Sequence, residues 1–418
     1  MTGVRAQGPG GREWTVRVGS EAEHPEALRV FAEAVNVSAQ EVVEGERDHP
    51  TAEHDRTLLV LDGERIVGTA MACGLRMTMP GGPRPVAGVT GVGVWPTHRR
   101  RGVLSAMMRR QLADVRARGE HLAVLWASES GIYPRFGYGM AFHQVRASIQ
   151  RPHTALRPDA PRDPALTVEL AEPDQVRQEM EDLHQRAVPA RAGEFVRSPN
   201  RWGQLLRERS KPGPGRVRVA LVRGPDGPAG YALHRLLGRW GEDLAQGRIE
   251  VSDLVSTTPA ARVALYEHLF SRDLIAETAF EALPEDDPLT VHLADPRRLV
   301  RRGFDGLWVR LVDVPGALSE RPYATGVDTV LEVGDRYAPW NAGRWRVRGG
   351  PGGARVEAAD AAPDLTVDVS HLGAAYLGRR SLTGFVDAGA AVEHTPGAAA
   401  SVDTALYVPR APFCSTEF

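Results

Sequence analysis

Two cysteines, Cys73 and Cys414, are all that 418 residues contain. No disulfide framework can therefore carry the fold, and no Cys/His spacing of the zinc-binding kind occurs, so no metal is expected. Lysine is almost missing: Lys211 is the only one, and 50 of the 51 basic residues are arginine. We read this as the mark of a high-GC genome rather than as chemistry. Charge of one sign is missing too. A formal net charge of −2 argues against the basic field that nucleic acid or an anionic membrane would require. No run approaches the roughly 18 apolar residues of a membrane span. Residues 1–12 are rich in glycine, lack the apolar core of a signal peptide and are expected to form a flexible leader. A cytoplasmic enzyme without a membrane or nucleic-acid partner is the default that these absences leave.

What remains is ordinary globular material, 42% hydrophobic and 25% charged, in a chain too long for one compact core. Two or three domains are expected. The first segment reads as a strand over 14–18, a helix over 25–34, and a hairpin of strands 57–61 and 65–71 turned by Asp62-Gly63, a strong turn dipeptide. A strand over 86–94 runs into a helix over 102–118, where Leu104, Met107, Met108, Leu112 and Val115 recur at intervals of three and four, as an amphipathic helix requires. A strand over 122–126 follows. Four prolines within 151–165 read as a linker.

The second segment repeats that order: a hairpin of 217–222 and 230–236, a strand over 248–255, and a helix from Pro259. The pattern suggests a duplication. Beyond residue 300 the texture changes to short strands (307–312, 329–333, 344–347, 355–358 and 365–369) between Gly-rich turns, which reads as a separate α+β domain.

The most informative stretch is Gly91-Val92-Gly93-Val94-Trp95-Pro96-Thr97-His98-Arg99-Arg100-Arg101-Gly102-Val103-Leu104-Ser105. A strand enters a turn that opens a helix, and free N–H groups at a helix start suit a diphosphate. Gly102 lets the backbone approach the anion closely. Arg99, Arg100 and Arg101 supply charge for phosphates, including any 3′-phosphate. The second copy has Thr257-Thr258-Pro259-Ala260-Ala261-Arg262 at the equivalent turn, without glycine and with one basic residue, and is expected to be silent.

At this turn the chain resembles the GNAT acetyltransferases, whose diphosphate turn reads Gln/Arg-x-x-Gly-x-Gly/Ala. Arg99-x-x-Gly102-x-Leu104 keeps the first two specified positions and departs at Leu104. The longer string from Pro96 to Gly102 resembles the Eis ("enhanced intracellular survival") branch of that family. So does the run Ala127-Ser128-Glu129-Ser130-Gly131-Ile132-Tyr133-Pro134-Arg135-Phe136-Gly137-Tyr138-Gly139. Gly306-Leu307-Trp308-Val309-Arg310 resembles the opening of that branch's sterol-carrier-like third domain, and Phe413-Cys414-Ser415-Thr416-Glu417-Phe418 resembles its ending.

The resemblance implies an α/β (α+β) chain of tandem GNAT folds: a catalytic domain over 13–152, a degenerate one over 153–298, and a sterol-carrier-like domain over 299–418 that delivers the C-terminal carboxylate. It implies acetyl-CoA as cosubstrate. The backbone of Val92, Gly93 and Val94 would take the pantetheine arm. Arg99, Arg100, Arg101, Gly102, Val103, Leu104 and Ser105 would take the phosphates, and Ser128 and Glu129 would add contacts.

Tyr133 matches the family's proton donor, with Tyr138 as its internal competitor and the favoured core residue. A tyrosine of pKa about 10 facing a thiol of about 8.5 makes proton donation uphill by only about 2 kcal/mol. The Phe418 carboxylate would act as base. The gap between an α-carboxyl of pKa about 3.5 and an ammonium of about 10.4 then has to be narrowed by burial or a water relay. Glu417 would help bind a cationic acceptor, whereas Glu21, Glu23 and Glu26 read as a solvated helix start. The family carries an aromatic residue where this chain has Gly91, so a more open acceptor pocket is expected. The implied acceptors are amines of aminoglycosides, with antibiotic resistance as a consequence, and peptide lysines. The implied assembly is a homohexamer.

Three rival readings stand beside this one. Cys414 would serve a ping-pong route through an acyl-cysteine. A non-enzymatic lipid-carrier or regulatory role would use Leu372, Tyr376 and Leu377 of the third domain to line a cavity. The Arg-rich turn would touch nucleic acid, although it lacks interleaved aromatics.

Overall fold

Short apolar runs punctuated by glycine build the sheets of this chain, and the computed structural model describes residues 4–7, 13–51, 53–209, 215–242 and 244–418. Of the leader expected over 1–12, residues 1–3 and 8–12 lie outside the described residues, while Val4–Gln7 is a strand antiparallel to Glu13–Val18. The chain divides into two compact units. One holds 1–142, 305–412 and 417–418; the other holds 143–304 with 413–416.

In the first unit an eight-stranded sheet runs in the order Val4–Gln7, Glu13–Val18, Leu58–Asp62, Arg65–Met79, Gly82–Val94, Leu122–Leu125, Trp308–Leu311, Gly139–Met140. The Asp62-Gly63 turn forms as its composition dictates, with Gly63 at φ +62°. The second hairpin strand runs to Met79 and turns at Gly81 and Gly82, both at positive φ, into a strand that starts four residues before its apolar core. The helix Val103–Ala117 buries Val103, Ala106, Met107, Met108, Leu112 and Val115 on that sheet, the face its three-and-four spacing predicts.

One strand is not where the sequence put it. Residues 307–312 read as the first strand of a separate third domain, yet Trp308–Leu311 pairs with Leu122–Leu125 on one side and Gly139–Met140 on the other. All four of its residues are buried, Arg310 included, and that guanidinium is neutralised by Asp335 at 2.6 Å. A strand buried on both faces shows no alternation, and its partners lie about 180 residues away in sequence, so periodicity alone cannot place it.

The remainder of this unit is a five-stranded sheet in the order Gly353–Ala358, Gly343–Gly350, Val327–Gly334, Leu365–Asp368, Val392–Glu393. The helix Val369–Ala375 lies so close to the first sheet that a Cβ on Gly139 would stand 2.3 Å from the Ala374 nitrogen. Leu372, Tyr376 and Leu377, the candidates for a lipid cavity, are core residues, and the Tyr376 hydroxyl donates to the Ala317 carbonyl at 2.8 Å.

The second unit has a seven-stranded sheet in the order Val300–Asp305, His143–Gln150, Ile275–Pro284, Gly247–Ser256, Gly227–Leu237, Val217–Gly224, Thr167–Ala171. The helix Pro259–Phe270 packs on one core cluster, and Arg177–Ala187 on another. Its first strand, His143–Gln150, precedes the Pro-rich stretch read as a linker. That stretch is ordered within this unit, pinned by a bridge between Leu156 and Leu293. Among the described residues no helix is long and apolar enough to cross a membrane.

Candidate active site

Parallel pairing between Gly82–Val94 and Leu122–Leu125 in the first unit holds at two positions only, Ala87 with Ala123 and Gly88 with Val124. Beyond Gly88 the strands diverge. A bulge on the other side of the same strand drives the divergence: Thr69 faces Gly93 and Met71 faces Thr90, so two residues, Gly91 and Val92, oppose one. Gly91 takes φ +58°, and a Cβ there would meet the Met71 sulfur at 2.7 Å. The glycine read as a missing aromatic is thus required by the backbone, because bulges kink a strand through such a residue. Gly93 lets the helix His24–Val35 approach to 2.9 Å of where its Cβ would be, measured to the Phe31 Cα. Among the described residues, the edge of Val92–Gly93–Val94 that faces the gap has no sheet partner on that side. An extended amide chain can pair there.

The turn that follows is braced from several directions. His98 bonds Asp62 at 3.1 Å and Thr97 at 3.0 Å, the Trp14 indole donates to the Arg101 carbonyl at 2.8 Å, and Arg99 donates to the Ala34 carbonyl at 2.7 Å. Arg100 is held at φ +60° and Gly102 at +87°. Gly102 is the N-cap of Val103–Ala117 and offers no side-chain cap, so the N–H groups of Val103, Leu104 and Ser105 have no acceptor within the helix. A bent, uncapped helix start with exposed Arg100 and Arg101 beside it is a cradle for an anion.

The next loop carries Ser128 and Glu129, both exposed, and then Tyr133, which is 6% exposed. Tyr133 lies in one apolar cluster with Val92, Val94, Val103 and Leu104, so the predicted strand, turn and tyrosine converge. Its ring meets Tyr138 edge-on at 5.9 Å. Burial, with a smaller contribution from Glu129, pushes the Tyr133 hydroxyl up to about 12. Tyr138 is more deeply buried and is shifted further in the same direction.

Phe418 comes to this strand as well. The Thr90 hydroxyl donates to its terminal oxygen at 3.0 Å, and its ring lies 3.1 Å from where a Gly88 Cβ would stand. The end of the chain therefore sits where the two strands part. Glu417 is exposed. Thr90 and Gly88 were not singled out from the sequence; their one signal was the small-residue run from Gly88 to Gly93. Of the other acids, Glu23 caps the short turn at Ser20 and pairs with Arg17, which draws its carboxyl down to about 2, and Glu26 pairs with Arg29. They stabilise a helix start.

In the second unit the equivalent helix start is closed. The Thr258 hydroxyl accepts from the Ala261 N–H at 3.1 Å, and Pro259 has no N–H to offer. The unit's buried charges meet chain residues 413–416 instead. Arg197 pairs with Asp253 at 2.7 Å and donates to Ser415 and Thr416, while Glu194 accepts from the Ser415 N–H at 3.0 Å and its hydroxyl at 3.1 Å. Burial pushes Glu194 up to about 7. Cys414 is buried within this unit, its thiol donating to the Thr416 carbonyl at 3.2 Å.

Comparison with known proteins identifies three domains along the chain. A model of an acetyltransferase (GNAT) domain matches residues 15–141, a second acetyltransferase (GNAT) domain model matches 193–311, and a sterol carrier protein domain model matches 314–415. An uncharacterized N-acetyltransferase of Streptomyces avermitilis is 40% identical over 86% of this chain and 89% of its own length. The N-acetyltransferase Eis of Mycobacterium tuberculosis is 38% identical over 76% of this chain and 77% of its own. The crystal structure of Eis1 from Mycobacterium abscessus superposes with a TM-score of 0.83 at 33% identity, covering 97% of this chain and 100% of that one.

Proposed function

The chain belongs to the Eis family of GNAT N-acetyltransferases, and on that premise we propose that it passes acetyl from acetyl-CoA directly to a primary amine in a ternary complex. The acceptors are aminoglycoside-like polyamines, whose acetylation would blunt them as antibiotics, and lysines of peptides. The cosubstrate fits the residues present: the gap between the diverging strands takes the pantetheine arm on the backbone of Val92, Gly93 and Val94. The uncapped helix start from Gly102 to Ser105, with Arg99, Arg100 and Arg101 around it, takes the diphosphate. Ser128 and Glu129 flank the arm.

When bound, acetyl-CoA supplies a thioester, whose acetyl carbon bonds to the amine nitrogen as the carbon–sulfur bond breaks. Tyr133 faces the departing sulfur. With its hydroxyl near 12 against about 8.5 for a thiol, full proton transfer costs about 5 kcal/mol, more than double what an unperturbed tyrosine implies. Tyr133 therefore works chiefly as a hydrogen-bond donor to the developing thiolate. The Phe418 carboxylate, held on Thr90, receives the proton that the amine sheds, and Glu417 holds a second ammonium of the acceptor.

The observation that carries this reading is the terminal oxygen of Phe418 on Thr90, two residues before the strand edge that takes the cosubstrate. Burial of Cys414 against its own backbone favours direct transfer over the acyl-cysteine route. The closed helix start of the second unit supports reading it as the silent copy. A reaction that consumes acetyl-CoA belongs in the cytoplasm, and the family likeness points to a homohexamer.

The test is to append two glycines after Phe418. Turnover should fall at least a hundredfold while acetyl-CoA still binds; near-normal turnover would remove Phe418 from the mechanism.

A further inference from the structure

Most arginines of this chain are spent on carboxylates or carbonyls, which makes a pair that is not spent worth following. A cleft of about 390 Å³ in the first unit is lined by Arg135, Gly137, Asp335, Arg336, Tyr337 and Asp368, among others. Arg135 and Arg336 are exposed on it. Arg135 lies over the Phe136 ring at 4.9 Å, and among the described residues neither guanidinium has a carboxylate partner. The two carboxylates on the cleft are engaged elsewhere. Asp335 accepts from Arg310, Asn341 and the N–H groups of Tyr337 and Ala338, and Asp368 caps the helix Val369–Ala375 through the N–H and hydroxyl of Ser370. The cleft is therefore electropositive at its mouth.

Its position matters as much as its charge. Tyr337 ties the cleft to the start of Val103–Ala117: its hydroxyl is 3.2 Å from the Ser105 hydroxyl, its ring lies edge-on to Phe136 at 4.8 Å, and the Arg109 guanidinium sits over it at 4.8 Å. Asp335 in turn fixes the Tyr337 backbone through a fully buried ion pair with Arg310. The floor admits nothing larger than glycine. Gly137 is at φ +85°, and a Cβ there would stand 2.8 Å from the Arg310 Nε.

We propose that the sterol-carrier-like segment is part of the cosubstrate site: Arg336, held beside Tyr337, together with Arg135 receives the 3′-phosphate of coenzyme A. The inference rests on the diphosphate reading of the turn given above. The 3′-phosphate and the diphosphate hang from one ribose, so a receptor for the first has to lie within a nucleoside's reach of Ser105, and the cleft begins one side chain away from it. A phosphate monoester carries close to two charges at neutral pH, and two guanidinium groups with unsatisfied donors match it. The sequence alone assigned that phosphate to Arg99, Arg100 and Arg101. Arg99 already donates to the Ala34 carbonyl, and it stays with Arg100 and Arg101 at the diphosphate.

Titration calorimetry of coenzyme A and 3′-dephospho-coenzyme A tests this on the full chain and on the R135A/R336A double variant, both exposed changes. The full chain should bind coenzyme A at least tenfold more tightly than the dephospho form. The double variant should bind coenzyme A no better than the dephospho form, with affinity for the latter unchanged within twofold. Equal binding of the two ligands by the unaltered chain, or a preference that survives in the double variant, would overturn the proposal. If the folded chain binds neither ligand, the diphosphate reading falls, and this inference falls with it.

Discussion

Tyr133 keeps its proton because water is kept from it. Burial disfavours the phenolate and Glu129 adds a like charge, so the group is uncharged across the working range and ionises only near 12. Two consequences follow for kinetics. Tyr133→Phe should lower kcat by about a hundredfold and leave KM for acetyl-CoA within twofold, since the hydroxyl is not needed to hold the cosubstrate. The pH profile of the unaltered enzyme should show no alkaline fall below pH 10 that this substitution removes. Glu194 is shifted by burial in the same upward direction, opposed by Arg197 and reinforced by Asp253. Its folded pKa of about 7 exceeds its ordinary 4.5, so the folded state holds the proton more tightly than the unfolded chain does. Stability from this group is complete below about pH 4.5 and is lost as pH rises through 7, on the order of 3 kcal/mol in all. Thermal unfolding from pH 4.5 to 8 should show that loss in the unaltered chain and a flatter profile in E194Q. Parallel profiles would contradict the assignment.

At the scale of the element, what was legible in the sequence was what is local. Asp62-Gly63 announced its turn, the three-and-four spacing announced the helix Val103–Ala117, and Gly102 announced where that helix starts. These depend on neighbours a few residues away. The bulge at Gly91 was not visible in the sequence, because φ +58° is a property of the pairing with Met71 and not of the residue type. Trp308–Leu311, Thr90 under Phe418, and Tyr337 against Ser105 were illegible for a common reason: each contact spans some 180 to 330 residues. Helices Ala39–Asp48 and Arg177–Ala187 were missed because their composition is polar, with few apolar positions to mark a face. Gly102 supports a sharper prediction. At φ +87° a side chain costs on the order of 1–2 kcal/mol, and the adjustment would turn the N–H groups of Val103 to Ser105 away from an anion. Gly102→Val should weaken coenzyme A at least tenfold in equilibrium dialysis while its circular dichroism stays that of the parent. Unchanged affinity would show that the helix start is not the cradle.

For the whole molecule, the exchange of Trp308–Leu311 into the first sheet means that the GNAT segment is not self-sufficient. A fragment ending at Phe142 would leave Leu122–Leu125 and Gly139–Met140 as unpaired edges and would lack Trp308, Val309 and Leu311, all buried in the sheet. Such edges invite aggregation. The fragment should show no cooperative thermal transition, and a sharp one would indicate that the pairing is dispensable.

Everything functional said of the chain descends from one binding event, and calorimetric titration of the unaltered, folded protein with acetyl-CoA measures it most directly. Saturable heat approaching one equivalent per chain is the predicted outcome. A flat titration from protein with an intact thermal transition would contradict the account.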